Sequence, residues 1–107
     1  MKAIVCEKYG LPSGLIYKEL ESPKPKEKEV VVSIKACSVN FPDTLIIQGL
    51  YQVKPPLPFT PGSDIAGIIK EVGAGVKHLK VGQEIFGFVA NGGFAEEVAA
   101  PASGIFP

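Results

Sequence analysis

"EVVVSIKACSVN", residues 29–40, carries the strongest strand signal in the chain. Val30, Val32, Ile34 and Ala36 alternate with Val31, Ser33, Lys35 and Cys37, which is the two-residue period of a pleated strand. The alternation predicts the first set on one face and the second on the other. Working back, "SPKPKEKE" (22–29) is a polar connector whose two prolines forbid a helix. Its lysines 24, 26 and 28 are interleaved with Glu27 and Glu29, so it reads as a solvated linker and not a basic patch. Before it, "KAIVCEK" (2–8) and "GLIYKELE" (14–21) are two further strands.

Working forward, "FPDTLIIQG" (41–49) is the one plausible helix. Pro42 suits a first helical turn, Asp43 complements the positive helix start, and Gly49 can stop it. "LYQVKPPLPFTPGSD" (50–64) then runs as an extended, proline-stiffened loop. Its Pro-x-x-Pro spacings fit a rigid cover over a pocket or barrel mouth better than a docking peptide. Strands return with "DIAGIIKEVG" (64–73), "VGQEIFGFVA" (81–90) and "GFAEEVAAP" (93–101). "GAGVKHLKVG" is turn chemistry, and Asn91-Gly92 predicts a hairpin turn. Short strands at this spacing predict a mainly β fold, a small barrel or sandwich. The last stretch, "PASGIFP" (101–107), reads as a chain leaving the domain.

The 107 residues give room for one domain, and a hydrophobic fraction of 46% supports a real core. Eleven basic and eleven acidic residues cancel, with no cationic face to suggest nucleic acid or an anionic membrane. No run reaches the roughly 18 apolar residues of a membrane span. The opening "MKAIVCEKYG" carries no apolar targeting run, so a cytoplasmic location is the expectation. Cys6 and Cys37, far apart, are expected as reduced thiols.

Tests for chemistry return little. Gly73 and Gly75 start a Gly-x-Gly, but His78 stands where a dinucleotide fingerprint needs its third glycine, and no helix comes after it. A β-turn is the better reading. The single histidine, His78, lies in a polar turn and is expected exposed and inert; no paired cysteines suggest a structural zinc. Ser63 is in no nucleophile elbow. Asp43 and Asp64 fit an acid–base pair in type, but spacing alone gives no distance between them.

Three stretches together carry a resemblance: "CSVNFPDTLIIQGLY" (37–51), "PFTPGSDIAGIIKEVGAGVKHLKVGQEIFGF" (58–88) and "NGGFAEEVAAPA" (91–102). In their order and spacing they resemble the N-terminal GroES-like domain of the medium-chain dehydrogenase/reductase superfamily, and best its zinc-free quinone oxidoreductase (zeta-crystallin-like) branch. The opening strand and the "VVVSIKA" strand also fit. The resemblance implies a GroES-like, partly open β-barrel with one short helix near 41–48. In zinc-bearing alcohol dehydrogenases the turn at 61–64 reads Pro-Gly-His-Glu, its histidine ligating zinc. Ser63 and Asp64 stand at those two positions here, and Asn40 stands in place of a cysteine ligand, so the resemblance implies a site without zinc.

The chemistry implied is NADPH-dependent two-electron reduction of a quinone or enone. Without a Lewis acid an isolated carbonyl is poorly polarised, whereas a conjugated acceptor spreads the developing charge. The resemblance places Asn40 and Asp43 on the nicotinamide side of the cleft. It sets Tyr51 beside the cofactor or acceptor ring, and Ser63 and Asp64 around the acceptor pocket. Each residue also fits a structural role. Asn40 can cap the helix, Asp43 can serve its first turn, Tyr51 can cover the loop, and Asp64 can hold the turn by hydrogen bonds. Leu45 stands where some relatives carry a second tyrosine.

Members of this family continue into a Rossmann domain that holds most of the cofactor. The resemblance therefore implies an incomplete catalytic domain, residues 1–107, inactive alone and prone to self-association or homodimer formation. Two other readings stay open: an alkenal or enoyl-thioester reductase, and a free-standing GroES-like module that binds protein through residues 49–61.

Overall fold

A computed structural model describes residues 1–107. The strand read from 29–40 is observed as β3, after β1 (Lys2–Val5) and β2 (Ile16–Glu19), and it spans Glu29–Cys37. The rest of the order is α1 (Phe41–Ile46), β4 (Asp64–Val72), β5 (Glu84–Phe88), β6 (Glu97–Pro101) and β7 (Ile105–Phe106). β1 and β2 form a two-stranded sheet; the others form an antiparallel sheet in the order β6-β3-β4-β5-β7. Bridges Ala3–Ala95 and Cys6–Phe59 tie the small sheet to the large one's flanks. The result is the curled, partly open β-barrel with a single short helix that the resemblance implied.

β3 and β4 form the spine, paired from Val30–Val72 to Cys37–Ile65. Val30, Val31 and Val32 are fully buried. Val30 and Val32 join Ile65, Ile69, Ile85 and Ile105 in the main core. Each such side chain contributes about 1.5–3 kcal/mol on burial. The alternation predicted for β3 breaks near its end. A register shift between Ile34 and Ala36 leaves Ala36 exposed and turns Cys37 toward the core beside Ile34. An extra residue in one strand of a pair reverses the facing of the residues after it, and no periodicity argument sees it coming.

The helix is regular over Phe41–Ile46 and closes in a Schellman pattern. Gly49 N–H donates to Ile46 O at 3.0 Å, Leu50 N–H donates to Leu45 O at 3.0 Å, and Gly49 takes φ 71°. Ile46 and Ile47 pack with Cys6 and Phe59 in a second small core, against which Tyr9, Leu15 and Tyr51 lie. This cluster fixes the helix and the loop after it.

Three further expectations are corrected. The stretch 101–107, read as a chain leaving the domain, instead carries β7, which pairs with β5, and puts Ala102 and Ile105 into the main core. The strand predicted over 14–21 is confined to Ile16–Glu19, with a 3-10 turn at Pro12–Gly14. Its side chains are mostly exposed, so no core face extends it. Asn91-Gly92 is not a hairpin turn, because β5 and β6 are not neighbours. Gly92 N–H donates instead to Thr60 O (2.7 Å) and Gly93 N–H to Gly62 O (3.0 Å). The turn residues serve a crossing that packs the chain against 60–62. The glycine-rich link at 73–82 does join two paired strands, β4 and β5, and His78 is exposed on it. Both cysteines are free, Cys6 buried and Cys37 half-buried.

Candidate functional site

A cleft of about 390 Å³ opens between the start of α1, the 51–55 loop, the start of β4 and the end of β5. It brings together all five side chains singled out from the sequence, Asn40, Asp43, Tyr51, Ser63 and Asp64. The stiff loop contributes Val53 and Pro55 to the wall, as expected of a pocket cover.

Asn40 is the helix N-cap, and Asp43 Oδ2 accepts its backbone N–H at 2.9 Å. Asp43 is only 4% exposed. A buried carboxylate is tolerated there because the helix start supplies N–H donors and a favourable dipole. The Asn40 side chain reaches outward: Nδ2 donates to Asp64 Oδ2 at 2.6 Å. Ser38 Oγ adds a longer contact of 3.4 Å to the same oxygen. Asp64 is exposed and lies opposite Phe88 in the β4–β5 register. Ser63 Oγ is 3.5 Å from Ala90 O, a marginal bond, so this hydroxyl is available to a ligand. Asp64 thus ties the segment before the helix to the first residue of β4, which differs from bracing its own turn.

The charge of the cleft is one-sided. Its lining holds two carboxylates and no Lys, Arg or His. Behind it the Cys37 thiol is pushed up to about 11, chiefly by burial and then by Asp43 and Asp64. No group of three or more His, Cys, Asp or Glu side chains is arranged to hold a metal ion.

Phe88, 61% exposed, was not singled out from the sequence, nor was Ile46. The signal for Phe88 lies in "EIFGF", where Ile85 points into the core and Phe86 and Phe88 do not. A second, more open groove of about 340 Å³ between β1 and the end of β3 carries Lys2, Lys35 and Glu96 at its rim and no converging polar set. No helix is long and apolar enough to cross a membrane.

The sequence matches the family described as alcohol dehydrogenase GroES-like domain over residues 26–107. Among curated proteins it is similar to the quinone oxidoreductase of Rattus norvegicus, at 39% identity over 109 residues, covering 100% of this chain and 33% of the rat protein. It is 48% identical over 85 residues to an alcohol dehydrogenase of Geobacillus stearothermophilus, covering 79% of this chain and 25% of that one. Among solved structures it superposes on the Escherichia coli quinone oxidoreductase complexed with NADPH, with a TM-score of 0.93 at 36% identity, covering 99% of this chain and 32% of that chain. The chain spans about a third of the length of these quinone oxidoreductases.

Proposed function

The chain belongs to the alcohol dehydrogenase GroES-like domain family of the medium-chain dehydrogenase/reductases, and from that premise we propose that it forms the acceptor side of a quinone or enone oxidoreductase that uses NADPH and no zinc. The observation that carries the reading is the Asn40–Asp64 bond of 2.6 Å inside a cleft that holds no thiolate or imidazole. Asn40, at the position of the cysteine ligand, is spent on Asp64, and Ser63, at the position of the histidine ligand, offers only a hydroxyl. An amide, a hydroxyl and one carboxylate make a poor set for zinc, which favours thiolate and imidazole.

The cofactor fits the cleft in type. Val53, Ile46 and Phe88 offer apolar walls for a flat ring, and Asn40 and Ser63 offer polar atoms at its edge. NADPH, when bound, supplies the hydride; a neighbouring nucleotide-binding domain is proposed to hold most of it. The work left to these residues is binding and orientation. Tyr51 and Phe88 flank the acceptor ring, Ser63 Oγ and Tyr51 OH donate to its carbonyl oxygen as charge builds there, and Asp43 fixes Asn40 through the helix cap. The proposed location is cytoplasmic, and the apolar side chains left exposed at Phe41, Phe86 and Phe106 favour self-association.

The likeness to an alcohol dehydrogenase favours a zinc-dependent second reading. Turnover by the protein isolated from its own cells separates the two. NADPH oxidation by 1,4-naphthoquinone that survives exhaustive chelation supports the quinone reading. Activity that disappears with the chelator and returns with zinc contradicts it.

A further inference from the structure

Resting on the quinone or enone reading of the cleft, we infer that it selects its acceptor by charge, taking uncharged conjugated carbonyls and rejecting those with a carboxylate or sulfonate on or beside the ring. The only charged side chains lining it are Asp43 and Asp64. Asp43 is buried and Asp64 exposed, so an entering anion meets like charge from both. No cation offsets them: Lys54, in the adjoining loop, lies over the Tyr9 ring at 5.8 Å and is not part of the lining. The one side-chain amide in the cleft, Asn40 Nδ2, already donates to Asp64. An anionic substituent would therefore lose its water and gain no ion pair, while the Ser63 and Tyr51 hydroxyls are taken up by the acceptor carbonyl. After the larger effect of burial, the same two carboxylates also oppose ionisation of the neighbouring Cys37 thiol.

The repulsion is part screened and part not. Asp64, being exposed, acts through solvent and weakens with salt, whereas the buried Asp43 is screened much less. Charge selection should accordingly fall, without vanishing, at high ionic strength.

The test is a matched pair of probes, 1,4-naphthoquinone and 1,4-naphthoquinone-2-sulfonate, titrated into the isotopically labelled chain at pH 6.5, where both thiols are protonated. Binding is read from the Asn40 side-chain amide and Tyr51 resonances. The expected result is that the uncharged quinone binds about tenfold more tightly than the sulfonate, as like charges at close range require. That gap narrows in Asp64→Asn, which removes the charge and keeps an acceptor for Asn40, and narrows again at high salt. Equal or tighter binding of the sulfonate at the same resonances overturns the charge inference and leaves the quinone reading standing. A gap insensitive to both Asp64→Asn and salt also overturns it, since bulk alone would then explain the preference. No shift at Asn40 or Tyr51 with either probe overturns both readings.

Discussion

Asn40 Nδ2 donates to Asp64 Oδ2 at 2.6 Å, joining the cap of the only α-helix to the first residue of the central strand β4. The two residues are far apart in sequence, and the bond closes one wall of the cleft. Because Asp64 is exposed, solvent screening reduces the bond's worth to that of an ordinary hydrogen bond, below that of a buried bond to a charged group. Asp64→Ala should cost about 0.5–1.5 kcal/mol. Urea unfolding checks this: Asp64→Asn should recover most of the loss, and an Asp64→Ala protein as stable as the parent would show that the bond contributes nothing.

The Cys37 thiol, pushed up to about 11 by burial and then by Asp43 and Asp64, should be slow to alkylate. At pH 8 roughly a thousandth of it is thiolate, the reactive form. Iodoacetamide labelling should keep accelerating with pH past 10, and should become fast at neutral pH once the chain is unfolded in urea. A rate that levels off near pH 9 contradicts the raised thiol, burial and carboxylates together.

Gly67, on β4, pairs with Ile34 at the start of the irregular part of β3. A methyl group there would overlap the Ser33 carbonyl oxygen and press on Val32. Gly67→Ala should destabilise by about 1–3 kcal/mol, the usual cost of overpacking a tight core position. Gly14, with no atom near its missing Cβ, is the control, and Gly14→Ala should stay within about 0.5 kcal/mol of the parent. Similar unfolding midpoints for the two variants would contradict this account of the sheet.

Glu19 is held at about 2, below its ordinary 4.5, by Lys2 first and then by the N-terminal ammonium. A carboxylate depressed on folding adds stability above its unfolded value and loses it as pH falls toward its folded one. The β1–β2 clamp should therefore weaken between pH 4.5 and 2 at low salt, and Glu19→Gln should flatten that part of the stability profile. The groups are solvent-exposed, so added salt should shrink the effect. An unchanged acid limb in Glu19→Gln would remove Glu19 from the account.

Much of this was legible in the residues. The Val30–Val32 run, the Gly49 helix stop and the glycine turns at 73–82 are local signals, and each holds because short-range geometry decides it. The convergence of Asn40, Asp43, Tyr51, Ser63 and Asp64 was implied by resemblance, since no spacing rule carries a loop back over a strand end. The features that stayed hidden depend on tertiary contacts. The shift between Ile34 and Ala36 turns Cys37 inward, and Asn91-Gly92 gives its turn chemistry to the 60–62 segment instead of a hairpin. Phe88 escaped because an exposed aromatic on an edge-proximal strand gains meaning only once Asp64 is seen across from it.

A zinc titration of the chain, monitored at the Asn40 side-chain amide, decides whether the cleft can hold a metal. With that amide donating to Asp64 and no thiolate or imidazole beside it, the predicted result is no saturable shift below millimolar zinc. Micromolar, saturable binding that displaces the Asn40–Asp64 bond would contradict the account and restore a metal-assisted carbonyl chemistry to the cleft.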